Sequence, residues 1–253
     1  MRVVVVGASS GLGRCIGVGL GQRGEQVALL ARRHDRLQAA AEEAGAGARA
    51  IECDVTDPTS VASSIGKAAA DLGGIDALVY TPAIGPLIRL VDIDAATWHR
   101  VFDTNVTGAA IVTAAAIPHL TASHGIALYL SSVVGSVTPP WPGLGAYCVS
   151  KAALEKLIEA WRVEHPTISF TRCVVGDCIG GAGDSMTGFP FASEWDWDLA
   201  AELQPVWEAR GLLAGSFIDV EDLVSAVDAV LRSGHTLSTP SIVLAPRPRE
   251  TPS

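Results

Sequence analysis

The chain has 253 residues, 49% of them hydrophobic and 18% charged, with a formal net charge of −9 at pH 7. That apolar share excludes a disordered chain, and no uninterrupted apolar run reaches the roughly 18 residues that a membrane span needs. The negative balance argues against phosphate backbones and anionic lipid surfaces, so neither a nucleic acid nor a membrane is expected as a partner.

The N-terminus, Met1-Arg2, leads into four valines that Gly7 ends, a run too short for a secretory signal. Five cysteines (Cys15, Cys53, Cys148, Cys173 and Cys178) are odd in number and form no CxxC pair. They read as reduced core thiols of a cytoplasmic protein, with no metal site expected.

Taken in chain order, valine-, isoleucine- and leucine-rich runs at 3–6, 27–31, 48–53, 77–80, 126–130, 168–175 and 242–244 read as strands. Stretches at 12–23, 34–44, 58–72, 94–119, 145–165 and 219–233 read as helices between them. Strict alternation of this kind predicts an α/β fold, a Rossmann-like doubly wound parallel sheet of about seven strands with helices on both faces. Gly24 and Gly73-Gly74 are expected to close helices, and Asp57-Pro58 and Asp219 to open them. A single domain is expected over 1–253, with no internal repeat and no composition shift to divide it. Residues 176–217 escape the pattern. They begin glycine-rich and then carry Phe189, Phe191, Trp195, Trp197 and Trp207. A structureless stretch of this length is rare inside a domain, so a substrate-binding insert or lid with short helices is expected; an oligomer interface is the alternative.

The first strand turns into the first helix through GASSGLG, Gly7 to Gly13. Such a turn aims backbone amides and the positive end of a helix dipole at one point, which suits a phosphate. At the end of the second strand, where a carboxylate would hold a bare adenosine ribose, stand Arg32 and Arg33. Their charge favours a ribose 2′-phosphate, hence NADP over NAD; a solvated helix start is the alternative. Asp54, after the third strand, is placed to meet the adenine amino group.

Tyr147 and Lys151 are four residues apart at the start of a helix, so their side chains share a face. A neighbouring ammonium is expected to stabilise the phenolate and let the pair move a proton near neutral pH; an ordinary surface pair would show the same spacing. Ser132 ends the fifth strand, on the carboxyl edge where open α/β sheets place ligands. Asn105, polar within an apolar helix, is expected either to fix a water beside Lys151 or to be a satisfied core amide.

Together, GASSGLG, Asp54 in CDVTD, Asn105 in NVTG, LSS ending at Ser132, and YCVSK from Tyr147 to Lys151 resemble the short-chain dehydrogenase/reductase family over nearly the whole chain. The resemblance implies Tyr147 as acid/base, Ser132 orienting a carbonyl or alcohol, Lys151 lowering the tyrosine pKa, and Asn105 supporting the relay. It implies a cofactor along Gly7, Ser9, Ser10, Gly11, Leu12 and Gly13, then Arg32, Arg33, Asp54, Val55, Thr81, Pro82 and Ala83, and finally Tyr147, Lys151, Gly176 and Cys178.

The sequence departs from that family where its usual NNAG becomes Tyr80-Thr81-Pro82-Ala83, and where its proline-glycine pair becomes Val175-Gly176. A proline-stiffened loop between Ser132 and Tyr147 brings Trp141 toward the substrate side. Trp141, Ser132, Phe189 and Trp195 are the expected substrate contacts. The expected function is NADP-dependent interconversion of an alcohol and a ketone or aldehyde on a fairly apolar substrate. A non-catalytic NADP(H)-binding regulator is the alternative. The resemblance also implies a homodimer or homotetramer built partly on 94–119 and 145–165.

Overall fold

Val3, Val4, Val5 and Val6 are all fully buried. A strand with no polar alternation must be covered on both faces, and this one sits near the centre of a sheet. The structure is a computed structural model that describes residues 1–179, 190–213, 215–233 and 236–247.

The main sheet has seven strands: β1 (Arg2–Val6), β2 (Gln26–Ala31), β3 (Arg49–Glu52), β4 (Ala77–Tyr80), β5 (Ile126–Ser132), β6 (Ser169–Val175) and a last strand, Ser241–Leu244. Its order is β3-β2-β1-β4-β5-β6 and then the last strand, with every pairing parallel. β1 lies between β2 and β4, with Val3 level with Val27 on one side and Ala77 on the other. The winding direction reverses there, which opens a crevice at the carboxyl ends of the strands.

Period-two alternation divides the core. Val3 and Val5 pack with α1 (Gly11–Gln22), α2 (His34–Ala44) and a later helix, Val220–Leu231; Val4 and Val6 face α3 (Pro58–Leu72) and the helices of the middle of the chain. The expected caps are present: Asp57 accepts a hydrogen bond from Thr59 N at 2.8 Å with Pro58 behind it, and Gly73 closes α3 with φ +74.

The expected helix at 94–119 is not continuous. It is α4 (Ala95–Phe102), a π-turn (Asp103–Thr107) and α5 (Gly108–Ser123). Tyr80 at the end of β4 donates its hydroxyl to Thr104 O at 2.6 Å, and a Cβ on Gly108 would meet that hydroxyl at 2.8 Å. The widened turn thus accommodates the buried phenol and points Asn105 inward. By composition the run Ala95–Ser123 is long and apolar enough to cross a membrane, but Ala109, Val112, Ala116 and Leu120 are buried in the core beneath the sheet.

After β5 come α6 (Val133–Ser136) and α7 (Gly145–Glu164). The segment expected as an insert contributes β7 (Cys178–Ile179), a 3-10 turn (Pro190–Ala192) and α8 (Trp197–Ala209), while β8 (Ile218–Asp219) pairs with β7. The helix Val220–Leu231 is α9, and Ser241–Leu244 is β9. A third apolar cluster, with Leu87, Leu144, Ala200, Leu203 and Trp207 buried, joins α8 to the loops before α7.

Candidate active site

Gly7, with φ +86, and Gly11, with φ +56, give the turn after β1 a path that side chains rarely follow. Gly7 N donates to Leu30 O at 2.8 Å, tying the turn to β2. Thr81 fills the space beneath it. Its hydroxyl donates to Val6 O at 2.6 Å, and a Cβ on Gly7 would come 2.5 Å from the Thr81 Oγ1. Tyr80 and Thr81 therefore occupy the place of the missing asparagines as structural anchors, one for the π-turn and one for the glycine turn. Pro82 presses its ring atoms toward Gly7, and the chain passes through Ala83 to Ile84.

Ser10 stands at the N-cap of α1 without a side-chain capping bond, and the first turn contains no acidic residue, so the free amides present an uncompensated positive field. Arg33 reaches back from the start of α2 over this turn, donating to Ser9 Oγ at 3.1 Å and to Ser10 Oγ at 2.6 Å. The Arg33 guanidinium and the two hydroxyls form one cationic cradle at the exposed start of α2. Arg32 stands beside Asp54. The Asp54 carboxyl is held below the usual carboxylate range, chiefly by the Thr56 amide at 3.0 Å. Val55 next to it is buried. The cradle, the glycine path and the helix N-terminus fit the dinucleotide expected from the sequence. At the far end, Gly176 N donates to Leu244 O at 2.8 Å, and Cys178 is buried in β7.

Asn105 is fully buried, and its side chain is committed. It accepts from Ile84 N at 2.8 Å and donates to Ile84 O at 2.9 Å and to Ser150 Oγ at 2.8 Å. Both amide hydrogens are used, so of the two readings of this residue the structure supports the satisfied core amide: a brace between the loop after β4 and α7.

Ser132 ends β5 and precedes α6, near enough to the Tyr147 phenol for its side chain to favour the phenolate. Lys151 lies one turn further along α7, 2% exposed, with Nζ donating to Leu130 O at 2.7 Å and 5.7 Å from the Tyr147 ring centre. The sequence brings these three together as expected, but the electrostatics differ from expectation. Burial pushes the Tyr147 phenol up to about 12, with the Ser132 contact pulling the other way. Burial likewise brings Lys151 down to about 8, opposed by the Glu155 carboxylate. Lys151 is aimed at the Leu130 carbonyl, and desolvation outweighs the other influences on the phenol.

Aromatic rings cover Tyr147. Phe191 packs on it at 4.7 Å between ring centres, Trp195 follows at 5.9 Å from Phe191, and Trp195 Nε1 donates to Gly85 O at 2.9 Å. Trp141 packs against Trp207 at 5.5 Å, and Trp207 Nε1 donates to Pro142 O at 3.0 Å. Trp195 thus lies behind the Phe191 ring that covers Tyr147, and Trp141 lies in the neighbouring apolar cluster. Phe189 lies outside the described residues. Phe191 and Gly85 were not among the expected site residues; the aromatic richness of the insert was the signal for the first, and nothing in the sequence marked the second.

Residues 1–176 match the family model described as short chain dehydrogenase. The chain belongs to that family. Among relatives of this short-chain dehydrogenase, an uncharacterized oxidoreductase of Myxococcus xanthus is 35% identical over 222 residues, 85% of this chain and 86% of that one. Cis-4-hydroxycyclohexanecarboxylate dehydrogenase of Sinomonas cyclohexanicum is 33% identical over 64% of this chain, and the chain spans 66% of its length. The chain spans only 18% of glycine betaine reductase of Emericella nidulans, to which it is 29% identical over 96% of its own length. Among solved structures, a short-chain type dehydrogenase/reductase from Mycobacterium marinum superposes with TM-score 0.82 at 26% identity, covering 96% of this chain and 93% of that one. The alcohol dehydrogenase of Thermococcus sibiricus complexed with 5-hydroxy-NADP shares the fold, with TM-score 0.80 at 23% identity over 99% and 98% of the two chains.

Proposed function

We propose that this short-chain dehydrogenase is an NADP-dependent oxidoreductase that interconverts an alcohol and a ketone or aldehyde on a fairly apolar substrate. The observation that carries the proposal is the Ser132–Tyr147–Lys151 group at the carboxyl end of β5, on the same sheet edge as the glycine turn and Arg33. The cofactor, when bound, supplies the hydride. The α1 amides and the Ser9 and Ser10 hydroxyls would hold its pyrophosphate, and Arg33 with Arg32 would select the 2′-phosphate. Ser132 orients the substrate oxygen. In reduction the carbonyl carbon gains the hydride and its oxygen takes the Tyr147 proton; in oxidation both transfers reverse. A phenol raised by burial keeps its proton at neutral pH and releases it to a developing alkoxide, which is the stronger base.

Phe191, Trp195, Trp141 and Trp207 support an apolar substrate, and the described residues 190–213 would serve as a substrate-binding insert or lid. Relatives named as dehydrogenases and reductases support turnover over a regulatory role. Outward-facing Val149 and Val163 on α7 support a homodimer or homotetramer, and the free thiols of all five cysteines suit the cytoplasm. The test is a panel of hydrophobic aldehydes and ketones with NADPH and with NADH. Turnover with NADPH, and a lower kcat/KM with NADH, is expected; no turnover with either cofactor across the panel refutes the assignment.

A further inference from the structure

The last three residues of β5 meet α7 one after another. Leu130 O accepts from Lys151, the Ser131 hydroxyl donates to Glu155 Oε1 at 2.6 Å, and Ser132 contacts Tyr147. The middle contact belongs to no step described so far. Glu155 follows Lys151 by one helical turn and is 4% exposed. Its other oxygen accepts from Arg172 Nη1 on β6 at 2.9 Å. α6 closes over the pair: a Cβ on Gly135 would stand 3.0 Å from Glu155 Oε1 and 3.3 Å from Lys151 Cβ.

Burying a carboxylate is costly, and Arg172, whose side chain is 32% exposed, could have been paired at the surface. The carboxylate is instead held inside, beside the buried ammonium. Among the described residues, the other groups around Lys151 leave its charge otherwise unmatched. α7 adds Tyr147 and the Cys148 thiol, both protonated at neutral pH, and β6 adds the cationic Arg172. β5 offers a carbonyl and two hydroxyls, α6 has no titratable side chain, and the π-turn presents neutral Asn105 with Asp103 exposed.

We propose that Glu155 is a positioning residue for the hydride-transfer site: its carboxylate supplies the negative charge that keeps Lys151 an ammonium, and through Ser131 it fixes the strand end that presents Ser132 to Tyr147. This rests on the assignment of Tyr147 and Lys151 made above. Glu155 touches neither substrate nor reacting atoms, so its effect is read through Lys151.

Unfolding of the full chain is followed against pH, and each protein is paired with its Lys151→Met counterpart so that the difference isolates the lysine. Lys151 binds its proton less tightly folded than unfolded, so the unfolded chain holds more protons between about 8 and the free-lysine value. The lysine-specific stability therefore rises with pH across that window. Glu155→Gln moves the onset of the rise about one pH unit lower, Arg172→Met moves it higher, and Glu155→Asp leaves it near the wild-type position. A purely structural bridge would shift neither onset. Unchanged onsets, or shifts of the same sign in Glu155→Gln and Arg172→Met, overturn the proposal. If Glu155→Gln does not fold, Arg172→Met decides it alone: an upward shift supports the role and no shift overturns it.

The kinetic counterpart is the alkaline limb of kcat for NADPH-driven carbonyl reduction, which falls about one unit lower in Glu155→Gln with KM little changed. Failure of the underlying assignment shows separately, as Tyr147→Phe retaining full turnover, whereas the unfolding titration judges Glu155 without any substrate.

Discussion

Gly13→Ala is the sharpest test of the glycine turn, because what its methyl would strike cannot move. The added Cβ would lie 2.6 Å from Gly7 O and 3.0 Å from Gly7 C, and would overlap the Thr81 hydroxyl. Gly7 is pinned by its amide on Leu30 O at 2.8 Å, and Thr81 by its hydroxyl on Val6 O at 2.6 Å. α1 must therefore tilt away from β1. Overpacking of this kind costs about 1–3 kcal/mol, and rigid backbone on the receiving side puts this case near 3. For a chain of this length each kcal/mol moves Tm by roughly 2–4 °C, so a drop of about 6–12 °C is expected in thermal unfolding. Displacing the α1 amides from the phosphate position also raises the NADPH Kd, measured by nicotinamide fluorescence, by about tenfold or more. Adding Thr81→Ala removes only the hydroxyl overlap and leaves Gly7 O in place, so it restores part of the loss. A Gly13→Ala protein with wild-type Tm and wild-type NADPH affinity would refute the reasoning.

Gly85→Ala tests the opposite situation, since its Cβ would meet the end of the Phe191 ring and lie 3.1 Å from Tyr147 Cδ2. The ring can swing aside, so Tm is expected to fall by less than about 3 °C while KM for an apolar carbonyl rises several-fold, and an unchanged KM would remove Phe191 from the substrate site. Arg33→Ala should raise the NADPH Kd about tenfold and barely change that of NADH, because only the former offers a 2′-phosphate for charge-assisted hydrogen bonds. Arg32→Asp should turn the cofactor preference toward NADH in the same binding assay, and no change would mark Arg32 as a solvated residue.

The sheet was readable because its strands are buried on both faces. Runs such as Val3 to Val6 and Leu128 to Leu130 have no polar position to lose, and the caps at Asp57, Gly73 and Asp219 follow from backbone hydrogen bonding alone. The break between α4 and α5 was not readable. It depends on Tyr80 reaching Thr104 and on Asn105 bridging Ile84 to Ser150, contacts made across 20 or more residues of sequence. Within the site, the family resemblance, with the strand-end place of Ser132 and the spacing of Tyr147 and Lys151, pointed to those three residues, and charge pointed to Arg32 and Arg33. Spacing could not weigh desolvation against the Lys151 charge, and for that reason the phenol sits high where a low value was expected. The role of Glu155 was equally hidden, because Glu four residues after Lys on a helix ordinarily reads as a solvated pair. The arrangement of Phe191 and Trp195 over Tyr147 follows no period, and only the tertiary structure shows it.

The most direct measurement is NADPH oxidation with the best hydrophobic carbonyl of the panel, comparing the wild-type chain with Tyr147→Phe at matched NADPH occupancy. The phenyl ring keeps the packing with Phe191 and deletes only the proton donor, so kcat should fall by about 10²–10⁴-fold while NADPH Kd and Tm stay near the wild-type values. A Tyr147→Phe protein that reduces the carbonyl at the wild-type rate would contradict the assignment of Tyr147 as the acid/base of this site.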